Sequence, residues 1–311
     1  MSYQMVSVHR PTVHQKDQPS LTTGTQAQEI GELLREWRRR RRMSQFDLAT
    51  DAEISARHLS FMETGRSRPS RQVLLNLATC LDVPLRDTNA LLRAAGFVPM
   101  FEERGFCAPE LDTVRRAVEI VLGAHDLNPA LVVDRHWTML SANRAVAHLV
   151  AGAEPMLLRP PVNIMRLFLH PAGLAPRIVN LTQWRAHVIA RLNRQIDLCG
   201  DPTLMDLLDE IRDYPCPSDN APTDDIDHET VATPFRLATI DGALSFFSTT
   251  TLFGNPLDIT VSELAIEAFL PADAETAEIM RRNARREQTK RHTGQPAPVV
   301  PMAQQRAVAL A

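Results

Sequence analysis

The stretch Ser44–Ser70, SQFDLATDAEISARHLSFMETGRSRPS, decides the reading of the chain. Ser44 is an N-cap residue before Gln45-Phe46-Asp47-Leu48-Ala49, and Asp47 three residues on makes an imperfect capping box. This predicts a short helix ending near Ala52. After a turn at Glu53-Ile54, Ser55 can cap another helix, Ala56–Thr64. Gly65 closes that helix and Pro69 prevents its continuation. Two short helices joined by a tight turn, the second capped and glycine-terminated, follow the grammar of a helix-turn-helix.

On the second of these helices Leu59 and Met62 face inward, with Ile54 just before the cap. Ala56, Arg57, Ser60 and Phe61 face out. In a DNA major groove Phe61 can touch a thymine methyl, and Arg57 suits a bidentate contact to guanine. Arg66, Arg68 and Arg71 lie where the chain would leave the groove, beside phosphates. Upstream, a helix over 28–42 carries the apolar stripe Ile30, Leu33, Leu34 and Trp37, then five arginines, Arg38–Arg42. That run reads equally as a solvated helix end and as a phosphate contact. Downstream helices over 71–81 and 85–95 complete a five-helix bundle through Val73, Leu74, Leu77, Leu81, Leu91 and Leu92.

The same stretch resembles the Xre/Cro-type helix-turn-helix of phage-repressor-like regulators. Gln45, Leu48, Ala49, Ala52, Ile54, Ser55, Leu59, Ser60, Glu63, Gly65 and Pro69 match that pattern. The resemblance implies that Gln45 clamps a phosphate and that Glu63 pairs with Arg38 inside the fold. Glu53 stands where the family usually has Gly; a positive φ there costs about 1 kcal/mol or more. Arg42 likewise replaces a usual Gly.

Charge supports a division of labour. The chain of 311 residues has a net charge of −3. Residues 28–72 hold ten Arg against seven Asp/Glu, whereas residues 110–270 hold twelve Arg against twenty-one. A basic front can meet phosphate backbones; an acidic rear is repelled by them. The length fits two domains. We expect a helix-turn-helix domain at 28–98, a second domain at 107–280, and polar disordered tails at 1–26 and 283–311. The scattered cysteines, the lack of an apolar leader and the lack of a membrane-length run predict a cytoplasmic protein with no membrane partner.

The second domain reads as α+β. Ala130–Val133 is a short strand, Asp134–His136 a turn, Trp137–Leu140 a return strand, and Ser141 or Asn143 starts a helix. Residues 181–198 form an amphipathic helix with Trp184, Val188, Leu192 and Ile196 on one face and Arg185, Arg191 and Arg194 off it. A hairpin follows, Phe235–Ile240 and Ala243–Phe253 around Asp241-Gly242. A last strand runs near Ser262–Phe269. The Pro- and Asp-rich segment 214–234 reads as a loop that covers an opening. This order is similar to a PAS-like domain. With LLRAAGFVP (91–99), DRHWTMLSANRA (134–145), LFLHPAGLAPRIVNLTQW (167–184) and AFLPAD (268–273), the chain resembles the MmyB-like regulators. That resemblance implies a PAS-like ligand-binding domain, for which fatty-acid-like ligands have been proposed.

These readings predict a ligand-responsive transcription factor that binds double-stranded DNA as a homodimer. The DNA-binding residues are Gln45, Ser55, Ala56, Arg57, Ser60, Phe61, Arg66 and Arg68. An apolar pocket between the sheet and the 181–198 helix draws on Trp137, Met139, Trp184 and Val188, with one of Phe246 and Phe247 pointing inward. His170 or Arg185 holds a carboxylate at its mouth. The alternative is a rear domain that only dimerises or binds a protein. No His/Cys cluster, nucleophile elbow, P-loop or dinucleotide fingerprint is present, so no metal, cofactor or enzymatic activity is expected.

Overall fold

Capping residues punctuate the front of the chain, and the helices begin where they stand. In the computed structural model, which describes residues 23–216 and 233–292, α1 spans Thr23–Arg40, α2 Gln45–Asp51, α3 Ala56–Glu63, α4 Arg71–Cys80 and α5 Leu85–Ala94. Ser44, Ser55 and Ser70 cap α2, α3 and α4 by accepting from the backbone N–H of Asp47, His58 and Val73. The capping box at Ser44 is complete, because Asp47 also accepts from the Ser44 backbone N–H at 3.1 Å.

The five helices close on one core containing Ile30, Leu34, Trp37, Leu48, Leu59, Met62, Leu74 and Leu91. Helices α1 and α3 approach closely at Gly31, where a Cβ would lie 2.5 Å from the Met62 carbonyl oxygen. Arg42, Glu53 and Asp82 have φ of 55°, 53° and 47°. The turns that carry them are therefore left-handed at residues with a Cβ, and Glu53 bears the strain its position implied.

The chain divides into two compact units, the first closing at Pro99 and the second opening at Met100. In the second unit ALVV (130–133) is β1, buried on both faces. With β2 (Met139–Ala142), β3 (Phe235–Thr239), β4 (Gly242–Leu252) and β5 (Ala265–Pro271) it builds a five-stranded antiparallel sheet ordered β2-β1-β5-β4-β3. One face packs under α6 (Asp112–Ala124), with Val118 and Leu122 against Ala130, Val132, Leu264, Ile266 and Ala268. The other face carries the larger core, roofed by α7 (Val146–Val150), α8 (Ile164–Leu169), α9 (Leu181–Cys199) and α10 (Pro202–Asp213). Ile259–Ser262 forms a short α11 before β5, and α12 runs Ala274–His292.

Several boundaries differ from the sequence reading. The return strand starts at Met139, two residues late. Asp134 Oδ1 accepts from the backbone N–H of both His136 and Thr138, and Trp137 takes φ 66°, so the turn consumes the expected start of the strand. Asn143 does not lead a helix. Its amide donates to the carbonyls of His125 and Asn128, and its Oδ1 accepts from Ala130 N–H. The hairpin turns at Ile240-Asp241, because Thr239 pairs with Gly242. Leu264 lies ahead of the last strand, which runs on to Pro271. The expected tails begin further out than read: Thr23–Gln26 belong to α1, and residues 283–292 belong to α12. That stretch holds three Arg and one each of Lys, Glu, Gln and Ala, residues that favour helix. Most of the expected covering loop, residues 217–232, lies outside the described residues.

Gly31→Ala should lower the stability of the front bundle by about 1–3 kcal/mol, since a backbone carbonyl must move to admit the methyl group. Denaturant unfolding followed by circular dichroism measures it, and an unchanged midpoint would contradict the close approach of α1 and α3.

Candidate DNA-reading face and ligand cleft

A carboxylate at the end of α3 organises the front of the bundle. Glu63 is 2% exposed. Arg38 grips it with two hydrogen bonds, Nε to Oε1 at 2.6 Å and Nη2 to Oε2 at 2.9 Å. Gln45 Nε2 adds a third at 2.8 Å, and Arg35 Nη2 donates to the Glu63 backbone carbonyl at 2.8 Å. Burial alone would push the Glu63 pKa up. The hydrogen bonds from Arg38 and Gln45 and the charges of Arg38 and Arg35 outweigh it and hold the acid below its ordinary range. One of the two amide hydrogens of Gln45 is thereby committed inside the fold.

The arginine run is mostly structural. Arg38 also donates to the Met43 carbonyl, and Arg41 Nη2 and Nε donate to the carbonyls of Asp82 and Leu81 just past α4. Arg40 pairs with Glu36, and the guanidiniums of Arg40 and Arg41 lie 5.1 and 5.3 Å from the Trp37 ring centre. Arg39 and Arg42 are exposed.

The outer side of α3 carries a different group. Arg57 and Arg66, both exposed, hold their guanidiniums 5.3 and 5.9 Å from the Phe61 ring centre. Phe61 is thus half-buried between cations. Ser60 is half-buried beside it and Arg68 is exposed. Ser55 is exposed and spends its oxygen as the cap of α3. Ala56 does not face fully outward; it packs partly against the core. Phe46 on α2, absent from the expected set, is 71% exposed. Its signal was its place off the Leu48-Ala49 stripe.

In the second unit a cleft of about 20 Å³ opens between α9 and the sheet. That volume admits about one water molecule. Trp137, Trp184 and Val188 line it. Met139 and Phe246 are buried in the core without lining it, and Phe247 is on the other face of the sheet, 39% exposed. His170 and Arg185 are engaged elsewhere. His170 Nδ1 accepts from Ala172 N–H, and Arg185 Nη2 donates to the carbonyls of Ile211 and Arg212 at the end of α10.

Arg191 and Glu267 are the charged groups of the cleft, and neither was foreseen there. Glu267, 3% exposed, faces inward from β5. Arg191 reaches it from α9 with bonds of 3.0 and 2.6 Å and donates to Thr250 Oγ1 at 2.7 Å. Its guanidinium stacks 4.4 Å from the Trp137 ring centre. Glu267 was legible as one acid in the run Ala265–Pro271. Arg191 lies off the apolar stripe of α9, and its long side chain folds back to the sheet.

These two units are the parts of a DNA-binding transcription regulator. Residues 29–91 match a helix-turn-helix domain, and residues 114–282 match the MmyB-like transcription regulator ligand binding domain. The chain belongs to the MmyB-like transcription regulators. The matched families are regulatory domains and not enzymes, with DNA as the partner of the first and a small molecule as the partner of the second. No curated protein matches the chain. Among solved structures, the chain is similar to an RNA-binding Light-Oxygen-Voltage receptor, at 14% identity and a TM-score of 0.26. That match covers 85% of this chain, which spans 64% of the receptor's length. Among the described residues no helix is long and apolar enough to cross a membrane.

Glu63→Gln should destabilise the front bundle by roughly 3 kcal/mol, because it leaves Arg38 facing a neutral partner. In the parent protein the contribution of Glu63 is fully present above about pH 4.5, its unperturbed value. It is lost as pH falls through the depressed folded value. Acid titration of both proteins measures this, and an equally steep acid limb in the variant would contradict it.

Proposed function

We propose that the chain is a ligand-responsive, sequence-specific regulator that works from the cytoplasm and reads duplex DNA through α3. The observation that carries the reading is the outer face of that helix. There Arg57 and Arg66 bracket Phe61 on a helix fixed at one end by Ser55 and at the other by Glu63. Arg57 would contact guanine, with Ser60 and Phe61 beside it. Gln45, through its remaining amide hydrogen, and Arg66 and Arg68 would hold phosphates. The protein would bind as a homodimer on a near-palindromic site, since one helix-turn-helix reads only a few base pairs. The acidic rear domain, about 107–280, would supply the dimer contact and take an apolar, fatty-acid-like ligand. A second reading, that this domain only dimerises or binds a protein, is favoured by the water-sized cleft.

Arg57→Ala should cost about 1–3 kcal/mol at the preferred site and relax base preference there. Arg66→Ala should weaken all sequences alike and reduce the salt slope by about one. Binding titrations on specific and scrambled duplexes at several salt concentrations separate the two. If Arg57→Ala left site preference unchanged, α3 would not be the reading helix.

Light scattering of the complex should give two chains per duplex; one chain with a half-site footprint would exclude the dimer.

A further inference from the structure

Two features of the α9 cleft find no use in DNA binding. The first is a donor without an acceptor. Trp184 lines the cleft at 4% exposure, and its indole N–H is buried with no hydrogen-bond partner among the described residues. Buried polar groups are normally satisfied, so such a donor calls for an acceptor from outside the chain. Its neighbours are rings and aliphatic groups: Phe168 at 6.3 Å and Phe235 at 4.9 Å between ring centres, with Val188 one turn along.

The second feature is that the charges of the cleft are already matched. Arg191 spends two bonds on Glu267 and one on Thr250, and Thr250 Oγ1 donates to Glu267 at 2.9 Å. His187 stacks on Trp184 at 5.2 Å. Burial first, then the charges of Arg191 and Arg194, lower its pKa against the opposing pull of Glu267, which favours the neutral ring near neutral pH. An ionised acid entering here would lie beside the Glu267 carboxylate. To be held by Arg191 it would have to share that single cation with Glu267, setting two carboxylates against one charge in a buried site, which is unfavourable.

We infer that the cleft accepts an uncharged apolar molecule bearing one oxygen acceptor, such as a long-chain alcohol, amide or ester. Trp184 N–H donates to that oxygen, and the Arg191–Glu267 pair turns ionised acids away. This rests on the reading of an apolar ligand above and replaces its acid head group with a neutral one. The cleft holds about one water as it stands, so the chain of the ligand enters by displacing lining side chains. Met165, unbranched and flexible, is the one best able to yield.

The test uses the full-length protein and a set matched in chain length: dodecanol, dodecanamide, methyl laurate and lauric acid, at about pH 8 where the acid is ionised. Thermal shift and calorimetry give the order of affinities. The neutral compounds should bind roughly tenfold or more tighter than laurate, about 1.4 kcal/mol. Trp184→Phe, which keeps the ring and removes the donor, should weaken dodecanol about fivefold or more. Glu267→Gln should raise laurate relative to dodecanol by freeing Arg191. Met165→Ala, independent of the charge pair, should tighten the neutral compounds and keep their order. Laurate binding tightest to the parent protein would overturn the head-group inference while upholding a ligand domain. An unchanged order in Trp184→Phe would remove Trp184 as the donor. If neither the parent nor Met165→Ala bound any of the four, the N–H would serve a buried water only, and both the inference and the ligand reading would fall.

Discussion

A carboxylate shut away from water ties the first three helices together. Glu63 belongs to α3, its main cation Arg38 to α1, and its amide donor Gln45 to α2. If α3 rotated against α1, a buried charge would lose the bonds that make its burial tolerable. The outward direction of Arg57 and Phe61 is therefore set by a polar contact on the opposite side of the same helix. Apolar packing of Leu59 and Met62 supplies cohesion but is non-directional; the bidentate pair supplies orientation.

The second unit uses the same device at a different scale. Glu267 and Arg191 join β5 to α9 across the sheet, and Asn143 joins the end of α6 to β1 through backbone groups. Both are side chains placed where regular hydrogen bonding stops. The aromatic cluster of Phe168, Trp184, Phe235 and Phe269 fills the volume between them, with ring centres 4.9–6.3 Å apart. That filling explains why the cleft is narrow although its walls are apolar.

How much was legible in the sequence follows from the range of each interaction. Serine caps and the Gly65 stop act within four residues, so α2 and α3 could be read closely from their caps. β1 was readable because its apolar run is only four residues long and ends in two β-branched valines, too short for a helix. β2 was misplaced because the Asp134 turn and the left-handed Trp137 depend on geometry that alternation does not report. Helix α6 has its apolar face in Val118 and Leu122 yet was not singled out, and α12 was hidden by charge. The cleft lies beside the helix to which the pocket was assigned, but its polar group was assigned to His170 and Arg185, which bond instead to backbone atoms, His170 to Ala172 N–H two residues on and Arg185 to carbonyls at the end of α10. Arg191 and Glu267 are 76 residues apart, and only the closed sheet brings them together.

Three turns of the front bundle rest on residues that resist their own backbone: Arg42, Glu53 and Asp82 all hold a left-handed conformation that glycine adopts freely. Arg42 and Glu53 follow α1 and α2, each two residues before the cap of the next helix, and Asp82 follows α4. The bundle is therefore less stable than its core alone would allow, by an amount stored at its corners and not in its packing. A lineage of this protein under heat or mutational load has headroom there, at exposed positions outside the core.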